Sequence, residues 1–437
     1  TVATQQVGYG SKVKAPTAPT RRGYDFEGWY SDKGLTKAYD FKTAVKSNMT
    51  LYAKWQRQEA YAILYSDGLL CFQYGNEPDK SHGTVVESWT GFEGKTSADL
   101  TGAWYPELIT RPWTWSATNR DSVKSVVVRD RISVAYGYKY FEGLKNCTSM
   151  DINKFDVSKA TDLSYMFDGC SSVATLDVSD LDVSKTEKLN SMFSGCSSLE
   201  SLDVSRWDVS SGADFSWMFY RCSSLASIDI SGWDVSSGTD FRSMLHGCSS
   251  LMSIDASACD ISNATDISSM FEDCKSLTSL VLPKCGAGKS GMVRDFFKGC
   301  AGLTSLGFSG WNVKDIDSAL RSLPDKGSLV QLDVSEADTS GVTDVSWLFR
   351  GCSSLESLDV ANWDVSKVED FSYMFGGCSS LTALDLSGWD MSSAKEMRSM
   401  FSGCTSLEGL EIAQWNTPCV QNFNSMFGNC KALTSLD

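Results

Sequence analysis

The chain has 437 residues and is acidic, with 39 Lys and Arg against 54 Asp and Glu, net −15. That balance repels nucleic-acid phosphates and argues against such a partner. No apolar run approaches the ~20 residues of a membrane-spanning helix, and with only two histidines, His82 and His246, neither histidine triads nor cofactor or metal sites are expected.

Residues 1–56 hold nine basic and four acidic side chains, net +5, so the rest, with thirty basic and fifty acidic, is net −20. The first residues, "TVATQQVGYG", lack the charged-then-apolar pattern of an export signal. In "YGSKVKAPTAPTRRGYDFEGWYSD" and "YDFKTAVKSNMTLYAKW", Gly23-Tyr24, Phe26, Gly28-Trp29 and Leu51-Tyr52-Ala53-Lys54-Trp55 form a spaced aromatic pattern. It resembles the Listeria–Bacteroides repeat, the B-repeat type of internalin-like surface proteins. The resemblance implies a small β-grasp-like module over 1–56, without the strand and glycine-rich turn that usually open it.

Residues 57–140 are expected to cap the repeats that follow. Within them, "TGAWYPELITRPWTWSATNR" gathers Trp104, Tyr105, Trp113 and Trp115 among few charges. Sealing the first coil is the ordinary role of such a segment; a ligand surface is the alternative.

From 141 onward the chain repeats. Phe141, Phe167, Phe193 and Phe219 are 26 residues apart, and the column continues through Leu245, Phe271, Phe297, Leu323, Phe349, Phe375, Phe401 and Phe427. Three residues on, a cysteine column runs from Cys170 to Cys430, broken once by Lys326. An unslipped period of this length is the signature of a solenoid. In "LESLDVSRWDV" the Leu202-Asp203-Val204 alternation predicts a short strand, and the L-x-x-L-x-L spacing matches leucine-rich repeats. In "DFSWMF", Phe215, Met218 and Phe219 fall at i, i+3 and i+4, which predicts a short helical turn. Asp214 would cap it, as would Asp162, Asp240, Asp266, Ser318, Asp344, Asp370 and Asn422 in the same column. The fold class is therefore an α+β repeat, a leucine-rich-repeat solenoid of about twelve coils over 141–437. One coil cannot bury its apolar side alone, whereas stacked coils share a core. The last unit stops at "LTSLD", so the chain is expected to be a fragment of a longer protein.

The phrase "MFxGCSSLxxLDVSxWDVS" and the leading segment "AYAILYSDGLLCFQYGNEPDKSHGTVVESW" resemble the BspA-like leucine-rich-repeat proteins of bacterial cell surfaces. The resemblance covers roughly residues 60 to 437. It implies an extracellular solenoid on the bacterial cell surface with a role in adhesion, and it supplies no catalytic residues.

Candidate sites follow from the columns. "CGAGKSG" (285–291) mimics the end of a phosphate-binding loop, but Pro283 stands where the first glycine is required and has no N–H to donate; the stretch is expected to be a repeat turn. The cysteine ladder is expected to be buried thiols. Cys259 and Cys285 replace Trp in the column of Trp207, Trp233, Trp311, Trp363, Trp389 and Trp415. On adjacent coils ~4.8 Å apart a disulfide between them is geometrically allowed. The Trp column itself is either packed at the strand's end or a sugar-stacking platform. The Asp ladder, including Asp151, Asp177, Asp203, Asp229 and Asp255, is a solvated acidic face, a dock for a basic partner or a set of calcium sites. The consensus breaks between 281 and 340, where Val281, Pro283, Lys284, Lys289, Gly307 and Lys314 remove negative charge or add positive charge.

No nucleophile with a base and no paired carboxylates stand out from the repeat, so no enzyme is expected. The expected function is surface binding, an adhesin recognising a host extracellular-matrix or plasma protein or a surface glycan. The candidate ligand residues are the 281–314 set, with Trp104, Trp113 and Trp115 as the alternative. The rival function is a passive stalk that displays another domain.

Overall fold

The computed structural model describes residues 4–90, 117–285 and 292–436. The N-terminal region contributes one antiparallel pair, β1 (Tyr24–Tyr30) with β2 (Tyr52–Arg57), bulged between Phe26 and Gly28. Its small core is aromatic: Phe26 meets Trp29 and Trp55 edge-on, with centroids 5.3 and 5.5 Å apart. No helix lies within residues 4–57. This region is tied to the next through Arg57, which lies 4.0 Å over the Tyr74 ring.

The array begins with a hairpin. β3 (Ala60–Tyr65) pairs antiparallel with β4 (Leu69–Tyr74) and with β5 (Val85–Thr90). β4 then pairs parallel with β6 (Ser125–Val128), and β6 with β8 (Ser149–Asp151). The hairpin thus closes the edge on which the parallel stack grows. A second short parallel pair, β7 (Ile132–Ser133) with β9 (Phe155–Asp156), runs alongside. A six-residue helix, α1 (Ala117–Ser122), precedes β6.

Two ladders run along the solenoid. The first carries the Leu-Asp-Val strand. It reduces to single parallel bridges at Thr175, Ser201 and Ser227, and widens into β10 (Ser253–Asp255), β11 (Ser279–Val281), β12 (Ser305–Gly307) and β13 (Gln331–Asp333). It reappears as β14 (Gly409–Leu410) and β15 (Ser435–Leu436). The second ladder links Asp162, Lys188, Asp214, Asp240 and Asp266, and resumes through Asp344, Asp370, Glu396 and Asn422.

The second ladder replaces the expected helical turn. In a helix the N–H groups of 215–221 would bond four residues back; here Phe215, Trp217, Phe219 and Arg221 donate to the next coil, at Asp240, Arg242, Met244 and His246 (2.7–2.9 Å). Trp217 has φ 54°, and left-handed residues recur in its column at Tyr165, Ser191, Ser243, Ser269, Trp347, Tyr373, Ser399 and Ser425. Alternate N–H groups are therefore given to the next coil, and the left-handed turns at Trp217 and Arg221 keep the backbone from coiling. Asp214 is no helix cap; its carboxylate closes a tight turn by accepting from Ser216 N (3.0 Å) and Ser216 Oγ (2.6 Å).

One continuous core runs from Ala60 to Met426. The Phe column stacks face to face, with centroids 5.4 Å apart for Phe167–Phe193 and 5.6 Å for Phe193–Phe219. The column cysteines other than Cys352 point back into the preceding coil, as Cys222 Sγ does to Phe193 O (3.1 Å). Leu202, Val204, Trp207, Val209, Phe215, Met218 and Phe219 of one coil are all buried, each contributing roughly 1.5–3 kcal/mol.

Candidate functional site

The regular coils are built on one device used three times. Asp203-x-Ser205, Asp208-x-Ser210 and Asp214-x-Ser216 each turn the chain by the same pair of bonds, the Asp oxygen accepting the Ser N–H and O–H two residues on. These bonds favour the ionised form and hold the Asp203 and Asp208 carboxyls below the usual range, the Ser hydroxyl being the largest cause. The exposed Asp ladder is thus occupied with its own corners. The Trp column is packed: Trp207 is 4% exposed, and its Nε1 donates to Val178 O at 3.0 Å. Trp233, Trp311, Trp363 and Trp389 are buried likewise, and Trp415 is half-buried.

The interruption is different. Where the second ladder should cross the coil after Trp311, the chain forms a true helix, α2 (Val313–Ser322), the longest among the described residues. Asn312 caps it by accepting from Asp315 N at 3.0 Å, while Ile316, Ala319 and Leu320 bury one face. Ser318, expected as a cap, sits within α2 and donates to Lys314 O (2.9 Å). Asp315 is buried at 1% exposure, and burial raises its pKa. Lys326, in the cysteine column, extends Nζ to Leu348 O at 3.0 Å, and burial lowers its pKa. Between α2 and the following coil lies a cavity of about 250 Å³, lined by Val313, Lys314, Asp317, Arg321, Ser346 and Leu348 among others.

The sequence candidates divide between two surfaces. Val281 is 38% exposed and stands between Asp255 and Gly307 in the strand ladder, so β11 and β12 leave a gap in the acidic face. Lys284 is exposed beside them, bridged to Asp260. Pro283 is buried and its carbonyl accepts from Trp311 Nε1 at 2.9 Å, which removes it from any ligand surface. Lys314 lies on α2 and lines the cavity, whose walls contain none of the strand-face residues. Lys289, Trp104, Trp113 and Trp115 lie outside the described residues.

The Cys259–Cys285 disulfide that adjacent coils would allow is not formed; both are buried thiols. The reason is a slip of two residues. Asp260 bridges Lys284, an offset of 24 instead of 26, so Cys285 faces Ile261 rather than Cys259. The Cys259 thiol points the other way, toward Ile230 O (3.7 Å).

Sequence reasoning missed α2, although Asn312 followed by Ile316, Ala319 and Leu320 is a capped helical pattern. It also missed an aromatic–arginine group beside the cavity. Trp347 and Tyr373 stack at 4.4 Å, with the Arg350 guanidinium 4.1 Å over Trp347.

Comparison with known proteins gives two family matches. The DUF285 family, described as a Mycoplasma protein of unknown function, matches residues 138–251, 227–302 and 318–436. The Listeria–Bacteroides repeat domain matches 1–54. Among curated proteins, Internalin H of Listeria monocytogenes is 40% identical over 60 residues, 13% of this chain and 11% of that one. A protein of Evansella cellulosilytica, provisionally named a Gly-rich membrane protein, is 34% identical over 113 residues, 26% of this chain and 13% of that one. Matches to the curated relatives span only 11–16% of their length. A leucine-rich cell surface protein of Faecalibacterium prausnitzii aligns structurally over 86% of this chain and 92% of its own at 14% identity, TM-score 0.27. That alignment is loose, and the fold rests on the repeat geometry itself. No helix among the described residues is long and apolar enough to cross a membrane.

Proposed function

We propose, for a chain that belongs to the DUF285 family of BspA-like leucine-rich-repeat proteins, a role in binding at the bacterial cell surface, as an adhesin toward a host extracellular-matrix or plasma protein. The organisation is a spacer-like module at 1–56, a cap at 57–140 and a binding solenoid at 141–437. One observation carries this reading: among the described residues the second ladder, which runs from Asp162 to Asp266 and from Asp344 to Asn422, is interrupted where α2 replaces it and a cavity opens. A stalk gains nothing from such a break, because uniform coils stack with the fewest unpaired groups. A binder needs it, since a partner meeting identical coils could settle in many registers, whereas binding energy concentrates in a few distinctive residues.

The test is a panel of immobilised extracellular-matrix and plasma proteins, with a surface-glycan array as second arm. The full chain is compared with two variants, Val281→Asp with Gly307→Asp, which completes the acidic face, and Lys314→Glu at the cavity. The reading expects at least one partner, weakened tenfold or more by one variant while the thermal midpoint is retained. Absence of any partner, or equal binding by both variants, overturns it in favour of the stalk.

A further inference from the structure

The flank formed by the second ladder carries a column of left-handed residues that is most often Ser. Two consecutive coils after α2 place Trp347 (φ 67°) and Tyr373 (φ 59°) there instead. Bulky side chains at positive φ are rare and strained; Tyr165 and Trp217 also occupy this column, but singly, and only Trp347 and Tyr373 stand on consecutive coils. The rings stack at 4.4 Å. Arg350 lies 4.1 Å from the Trp347 centroid and 5.3 Å from that of Tyr373, and Arg398 lies 5.8 Å from Tyr373.

Cation–aromatic groups elsewhere on the chain are of two kinds: Arg21 over Tyr24 (3.8 Å) and Arg221 over Tyr220 (5.1 Å) each cover a single ring without a carboxylate partner among the described residues, whereas others are paired. Lys139, between Tyr138 and Tyr165, pairs with Glu142 at 3.2 Å. Arg242, over Trp217, pairs with Asp240 at 3.2 Å and Asp266 at 3.6 Å. Arg350 and Arg398 meet no carboxylate among the described residues, although the chain is strongly acidic. Stacking uses the face of a guanidinium and leaves its in-plane N–H fork for a carboxylate. Both charges lie within 6 Å of one ring centre, so they are at most about 12 Å apart, a span that an extended peptide covers in about four residues.

We propose that Trp347, Arg350, Tyr373 and Arg398 form a docking site for an acidic protein segment that offers two carboxylates, one to each guanidinium. Trp, Tyr and Arg are the residues that most often anchor protein partners. The two rings face each other and the guanidinium groups, which leaves no flat platform for a sugar. The proposal rests on reading the chain as a binding module, but on residues other than those of the strand face and cavity.

The probe is a fluorescein-labelled decapeptide of alternating Glu and Leu, titrated into the full chain by fluorescence anisotropy. A Lys/Leu peptide and a hyaluronan oligosaccharide, whose charge is carboxylate on sugar, are measured alongside. The expected result is saturable binding of the Glu peptide alone. Affinity should fall at least tenfold in Arg350→Ala with Arg398→Ala, and by a similar factor in Trp347→Ser with Tyr373→Ser, which installs the residue most common in the column. Arg350→Glu with Arg398→Glu should switch preference to the Lys peptide, and Arg221→Ala, on a regular coil, should change nothing. Equal binding by the charge-reversed variant, or hyaluronan binding as tight as the peptide, overturns the proposal. A chain that captures a matrix protein yet fails here loses only this proposal, whereas one that passes here but captures nothing loses the adhesin reading.

Discussion

Coils 196–274 and the stretch 281–340 share a period yet solve the same packing problem differently. In the regular coils all corners but Asp240-x-Arg242 are Asp-x-Ser turns, each thiol bonds the coil before it, and the Phe rings stack in register up to Leu245. In the interrupted stretch the Asp corner gives way to Val281 and Gly307, the second ladder to α2, and one column cysteine to Lys326. The contrast teaches that the period fixes the core while the surface between core positions is free to change. Change at that surface is where recognition can be built without loss of the stack.

The largest effect expected is in the regular core. Phe193→Ala removes a ring stacked on both Phe167 and Phe219 and should lower unfolding free energy by about 3–5 kcal/mol. Leu320→Ala on α2 should cost about 2–5 kcal/mol, toward the lower end because the cavity beside α2 lets the coil adjust. Urea denaturation of both variants makes the comparison; a larger cost at Leu320 would break it.

A smaller effect separates the two kinds of turn. Asn312→Ala removes the cap of α2 and should cost about 0.5–2 kcal/mol. Asp214→Ala removes two bonds from a turn and should cost about 1–3 kcal/mol. Hydrogen exchange should show the first loss confined to 312–322, and the second spread to the coils that 214 bridges.

This second pair also marks what the sequence disclosed. The Phe and Cys columns, the strand, the buried Trp column and the solenoid were legible, because the 26-residue period places identical chemistry in identical surroundings. The turn at 214 was not, because Phe215, Met218 and Phe219 satisfy helical spacing while the positive φ at Trp217 forbids a helix. The triple Asp-x-Ser pattern was the available signal. That Cys259 and Cys285 do not meet was hidden, because a two-residue slip in backbone pairing leaves the column count unchanged. Of the candidate site, Val281, Gly307, Lys284 and Lys314 were found as breaks of consensus. Trp347 and Arg350 were not, since an aromatic in a turn column looks like core until its backbone angle is known.

The smallest effect is the pH dependence of single corners. Asp203 has a folded pKa below its unfolded value of about 3.8. Its contribution is therefore present above pH ~4 and is lost as pH falls through the folded pKa. Asp203→Asn should lower stability at pH 7 and make the chain less sensitive to acid between pH 4 and 2. Asp315 is the reverse: burial raises its folded pKa, so its ionisation opposes folding as pH rises past ~4. Asp315→Asn should leave stability at pH 7 unchanged or raise it. Thermal midpoints across pH 2–7 check both signs.

The central claim is that the regular coils are scaffold and the interrupted coil with its neighbour is the recognising surface. Hydrogen–deuterium exchange of the full chain, with and without a matrix or plasma protein captured from the panel, tests it most directly. The account predicts new protection in peptides covering 281–285, 313–322 or 345–350, and none across 196–274. Protection centred on the regular Asp-x-Ser coils, with 281–350 unchanged, would contradict it.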